Sequence, residues 1–141
     1  MSHNASAIYM GSGQSKTRTV DNYAGDPATF VAGLCVHLKS DGTLSLAVAD
    51  GSKLGISMGR SLSDTKRVAV ARKGLRIPVL LANGFTPTVG AQVQISTTTG
   101  KAVSSGTAVN AVYVSAVLTA YDEDGVAIAD GAALIDFQGG L

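Results

Sequence analysis

The chain has no tryptophan, only three Phe and four Tyr, and a single cysteine in 141 residues. Charged residues make up 15% of it, against roughly 25% in an ordinary globular protein. Each scarcity excludes something. One cysteine, Cys35, rules out an internal disulfide and supplies no metal-ligand spacing. Few aromatics leave little with which to stack on single-stranded bases. No run approaches the roughly 18 apolar residues of a membrane-spanning helix. The opening Met-Ser-His-Asn-Ala-Ser has no basic-then-apolar signal pattern, so synthesis in a reducing cytoplasm is expected. So little charge is consistent with a surface partly covered by a partner.

The charge that is present is unevenly placed. The net value is +1, which gives no general pull toward nucleic acid or membranes. Yet from Lys53 to Arg76 there are seven basic residues against Asp64 alone. From Ala102 to Leu141 there are five acidic ones (Asp122, Glu123, Asp124, Asp130, Asp136) and no basic one. Such asymmetry favours electrostatic docking between copies or onto another protein.

What the chain has is 45% hydrophobic residues and 17 glycines, enough for one domain with a true core. The most informative stretch is Lys66 to Val79, which holds five of the eleven basic residues. Val68 and Val70 fall on one face of an extended chain, with Arg67, Ala69 and Ala71 on the other. After Gly74 the phase flips. Leu75, Ile77 and Val79 then share a face, opposed by Arg76 and Pro78. A period of two that changes phase at a glycine predicts a strand with a bulge or sharp bend. Gly74 and Pro78 argue against a helix.

Other strands alternate around clear turns. Phe30 to Leu38 places Leu34, Val36 and Leu38 inward and Cys35 and His37 outward. Ser40-Asp41-Gly42 turns the chain into Leu44, Leu46 and Val48. Leu54 to Met58 is a short strand. Asn83-Gly84 is a turn. Val89, Ala91, Val93 and Ile95 alternate with polar residues and predict a half-buried antiparallel strand. Val112, Val114, Ala116 and Leu118 predict another, with Tyr113 and Ser115 opposite. Asp122-Glu123-Asp124-Gly125 is a turn, and Val126 to Ala129 and Leu134 to Phe137 complete the set. Short strands with a turn every eight to twelve residues indicate an all-β barrel or sandwich. Residues 1–26 are polar and weakly periodic, and are expected to form an extended N-terminal arm with one apolar cluster, Ile8, Tyr9 and Met10. Residues 27–141 are expected to form a single β domain.

Motifs for chemistry are incomplete. Gly55-Ile56-Ser57-Met58-Gly59 matches G-x-S-x-G, but a nucleophile elbow needs a strand-to-helix turn and a later His. His3 and His37 both precede Ser57. Gly11 to Thr17 lacks the glycine before the lysine of a phosphate loop. The acidic turn at Asp122 lacks the ligand pattern of a calcium loop. No enzymatic activity, cofactor or metal is expected.

Leu54-Gly55-Ile56-Ser57, Arg67 through Val79, Thr88 through Ile95 and Thr99-Gly100-Lys101-Ala102-Val103 together resemble the small capsid decoration (cement) proteins of tailed bacteriophages. The resemblance covers roughly residues 50–118. It implies a small β barrel or jelly-roll-like module on the exterior of the virion. There it would bridge subunits of the major capsid protein and associate with copies of itself as a dimer or trimer, without nucleic acid or membrane. The longer polar arm and the acidic stretch after Leu118 depart from that pattern. The expected contact residues are Ile8, Tyr9 and Met10 on the arm and Arg67, Arg72, Lys73 and Arg76 on the bent strand. A carbohydrate- or receptor-binding β domain of a phage appendage is the alternative reading, weakened by the shortage of aromatics for stacking on sugars.

Overall fold

A computed structural model describes residues 16–23, 30–46, 53–60, 67–122 and 124–138. Among them there is no helix. The strands are β1 (Lys16–Tyr23), β2 (Cys35–Leu38), β3 (Leu44–Ser45), β4 (Lys53–Arg60), β5 (Arg67–Leu80), β6 (Gln92–Ile95), β7 (Thr107–Tyr113) and β8 (Ala132–Phe137). Seven follow one path, β3-β2-β4-β5-β8-β7-β6, and β1 joins the sheet on β5. All the strand pairs are antiparallel, and the sheet curls into a half-barrel.

β5 is the hub. Its 14 residues pair with β1 from Arg67 to Leu75, with β4 from Val68 to Ala71, and with β8 from Gly74 to Leu80. The bend predicted at Gly74 is present. The register slips between Gly74 and Ile77, where β5 has one more residue than β8. Arg76 takes up the excess with a φ of 56°, a left-handed conformation uncommon outside glycine. Curvature follows, because a bulge bends the strand and increases its twist.

β5 serves three packed clusters, because both of its faces are buried at either end. Ala71, Ile77 and Val79 join Ile56, Leu81, Val93, Ile95, Tyr113, Ile135 and Phe137 in the main core. Val68 and Val70 pack with Phe30, Val36 and Leu44. Leu80 packs with Leu34, Ala120 and Ala132. Each large apolar side chain buried this way stabilises the fold by about 1.5–3 kcal/mol relative to its exposure. The segment after β6 adds a tie. Ala102 N donates to Leu80 O at 2.9 Å, Ala82 N donates to Ala102 O at 2.9 Å, and Val103 N donates to Gln94 O at 2.9 Å. Ala102 thus links β6 to the end of β5.

Several sequence expectations need correction. Leu75 does not share the inward face of Ile77 and Val79; it is 51% exposed, because the extra residue lies between it and Ile77. Cys35 and His37 do not face outward; both are buried with Val36, since β2 is packed on both sides. On β7 the phase is reversed. Val109, Ala111 and Tyr113 point inward and Val112 is exposed, and the strand ends at Tyr113 rather than running to Leu118. The strand expected from Val89 shortens to Gln92–Ile95, with Val89 exposed ahead of a turn at Gly90. Val126–Ala129 forms no strand, only the Tyr121–Ala127 bridge of a small hairpin. Lys16–Tyr23, inside the segment read as an arm, forms β1 against β5.

Candidate adhesive surface

The chemistry-bearing motifs fold into structural roles. Ser57 sits mid-strand in β4, fully buried, and its hydroxyl donates to Phe30 O at 3.1 Å. That is neither the exposed turn nor the hydrogen-bonding of a nucleophile elbow. Burial pushes the Cys35 thiol up to about 12, which keeps it protonated and unreactive. In the acidic turn, Asp122 Oδ1 accepts the N–H groups of Asp124 at 2.9 Å and Val126 at 3.0 Å. Its carboxylate closes a hairpin. Asp41 does the same at its own turn: the Thr43 hydroxyl and N–H hold its carboxyl below the usual range. Lys16 and Thr17, from the phosphate-loop look-alike, lie in β1. Among the described residues, no group of three or more His, Cys, Asp or Glu could hold a metal.

The contact residues expected from sequence are only partly brought together. Arg72, Lys73 and Arg76 lie along the bend of β5, the last two exposed and Arg72 half-buried. Arg67 is exposed at the strand's other end, some 25–30 Å from Arg76 at about 3.3 Å per residue. Ile8, Tyr9 and Met10 lie outside the described residues. Lys16 stands opposite Leu75.

Beside the basic residues lies an apolar component that sequence reasoning missed. Leu75 is 51% exposed and Val112 is 41% exposed. Val112 stands directly opposite Asp136 across β7 and β8, and Asp136 Oδ1 accepts the Arg76 N–H at 3.0 Å. Leu75, Arg76, Asp136 and Val112 thus form one continuous patch, with exposed Gln92 beyond Val112 on β6. Among the described residues, neither Arg72, Lys73 nor Arg76 forms an ion pair; the one present joins Lys39 to Asp41 at 3.9 Å. A patch of exposed aliphatics rimmed by basic side chains suits protein contact, where an apolar centre and a charged rim recur. The inward reading of Leu75 hid it, because no sequence signal showed that Arg76 is the extra residue.

Comparison with protein-family profiles, with curated proteins and with solved structures finds no match.

Proposed function

We propose that this chain is a non-enzymatic structural protein that decorates the exterior of a tailed-phage head and strengthens contacts between major capsid protein subunits. The observation that carries the reading is the patch at the bend of β5: exposed Leu75 and Val112 flanked by Lys73 and Arg76, on the most heavily paired strand of the sheet. A surface held on such a strand loses little conformational entropy when it docks. The resemblance of residues 50–118 to cement proteins supplies the partner. A lattice makes modest contacts sufficient, because the second and third contacts become effectively intramolecular. The segment ahead of Lys16, with Ile8, Tyr9 and Met10, would add a second contact beside the first.

The test is co-sedimentation with purified heads of the parent phage stripped of decoration. The full chain should pellet with heads and protect them against dilution and heating. Lys73→Glu and Leu75→Ser should each lower occupancy while the chain stays folded. Full occupancy by both variants, or no pelleting of the full chain, would defeat the proposal. A glycan screen tests the appendage reading separately.

A further inference from the structure

The acidic residues after Leu118 do not return to the basic bend of their own chain, with one exception: Asp136, whose carboxylate is held on the Arg76 N–H. Of the other described ones, Asp122, Asp124 and Asp130 lie on or beside a hairpin between β7 and β8. Leu118 bridges Ala132, Tyr121 bridges Ala127, and Ile128 N donates to Ala120 O at 2.8 Å. Ala120 and Ile128 anchor the base of this hairpin in the cluster around Leu80. Its outer part is exposed and apolar as well as acidic. Val126 is 60% exposed and Tyr121 is 44% exposed, next to Asp122 and Asp124 at the turn.

The two patches sit at opposite ends of β8. Ala132, at the hairpin end, pairs with Leu80; Phe137, at the bend, pairs with Gly74. Six residues of strand separate them by about 17–20 Å, so they cannot meet within one copy. They match in kind. One presents Leu75 and Val112 with Lys73 and Arg76; the other presents Tyr121 with Asp124, while Val126 lies on the opposite face of the hairpin because Tyr121 pairs with Ala127. The net charge of +1 leaves little overall repulsion between copies.

We propose that, in the absence of a head, a second copy of this chain occupies the bend of β5, docking there by the hairpin that carries Tyr121 and Asp124. Tyr121 lies against Leu75 and Val112, and Asp124 faces Lys73. Because the two surfaces differ, each contact pairs the bend of one copy with the hairpin of another. The inference rests on the adhesive reading of the β5 patch but not on a capsid as partner.

Sedimentation velocity of the full chain over a concentration series tests it. The chain should associate at about 50 mM NaCl and dissociate substantially at about 500 mM, as expected for charge-guided contact. Lys73→Glu or Asp124→Lys alone should weaken association at least about tenfold. An equal mixture of the two variants should restore it, since each patch then finds its complement. Tyr121→Ser should weaken association without altering its salt dependence, and Leu75→Ser provides a second probe of the bend should Lys73→Glu fail to fold. A chain that stays monomeric at low salt, or variants that associate like the parent, would overturn the inference. A monomer that still binds heads defeats this inference alone; one that neither binds heads nor associates defeats both.

Discussion

The Asp136 carboxylate accepts the backbone N–H of Arg76 at 3.0 Å, from the strand next door. This contact makes the bend of β5 possible. A bulge takes a residue out of the ladder and leaves its N–H without a strand partner. Asp136, opposite Val112 on β8, supplies the missing acceptor. The same contact fixes where the patch begins, because Arg76 turns Leu75 out to solvent on one side and returns Ile77 to the core on the other.

The bend therefore carries a cost and a compensation that can be separated. Arg76 holds a φ of 56°, a region that disfavours any residue with a Cβ by about 1–2 kcal/mol. Arg76→Gly should raise stability by about 0.5–1 kcal/mol in urea unfolding while weakening adhesion. Asp136→Ala should lower stability by about 1 kcal/mol, and Asp136→Asn, which keeps an acceptor, should recover part of that. Equal stabilities for Asp136→Ala and the parent would show that the carboxylate does not support the bulge.

The bend was legible in the sequence, and the side it turned was not. A phase change across Gly74 shows between Val70 and Ile77, because core positions differ from exposed ones on either side. Which of Gly74, Leu75 and Arg76 absorbs the extra residue depends on the acceptor offered by Asp136, 60 residues away. The same limit applies to β2. Alternation shows one buried face when the other meets water, but Cys35 packs into the main core and Val36 into the second cluster. On β7, apolar residues occupy both faces from Ala111 to Val114, so the alternation read with Val112 and Val114 against Tyr113 had the wrong phase; tertiary packing buries Tyr113. β1 was missed because Lys-Thr-Arg-Thr-Val-Asp-Asn-Tyr is mostly polar; its ladder with β5 is a long-range pairing that local pattern does not show. The turns at Asp41, Asn83 and Asp122 were legible because their chemistry is local.

Two glycines make contrasting predictions about strand packing. A Cβ at Gly55 would stand 2.1 Å from Val70 Cγ1, a side-chain atom; one at Gly106 would stand 2.3 Å from Ile95 O, a backbone atom. Gly55→Ala should cost about 1–3 kcal/mol by overpacking. Adding Val70→Ala should offset part of the loss, so that the double variant is more stable than the summed single effects. Gly106→Ala has no side chain to trim and should resist rescue. Strict additivity for Gly55→Ala and Val70→Ala in urea unfolding would refute the direct collision.

Stability should fall in alkali, for a stated reason. Burial pushes Cys35 up from 9.0 to about 12 and Tyr113 up from 10.0 to about 12. Both are acids whose charged form the fold disfavours. The unfolded chain therefore releases these protons first, and stability that is complete below about pH 9 drains away as pH rises toward 12. The slope is about 1.4 kcal/mol per pH unit for each group fully engaged. Cys35→Ala should lower stability at pH 7 through lost packing yet flatten the decline between pH 9 and 10.5. Tyr113→Phe should flatten it above pH 10. At neutral pH it should cost little, because the buried hydroxyl has no hydrogen-bond partner among the described residues. An unchanged alkaline slope in both variants would place its cause elsewhere.

The β1 ladder dictates where the N-terminal segment can be cut. Lys16 to Tyr23 pair with Leu75 to Arg67, so removing residues 1–15 leaves every described strand whole, whereas removing residues 1–26 strips β5 of a strand along its first half. A chain starting at Lys16 should melt within about 2 °C of the parent, since it keeps every described core residue. One starting at Pro27 should lose at least about 2 kcal/mol, the net worth of a few ladder hydrogen bonds, and should aggregate through the uncovered strand. Thermal melts followed by circular dichroism, with light scattering alongside, distinguish the two. Identical melting of both truncated chains would mean that β1 contributes nothing to the fold, and loss of head binding by the longer deletion could then be assigned to the missing arm rather than to a damaged sheet.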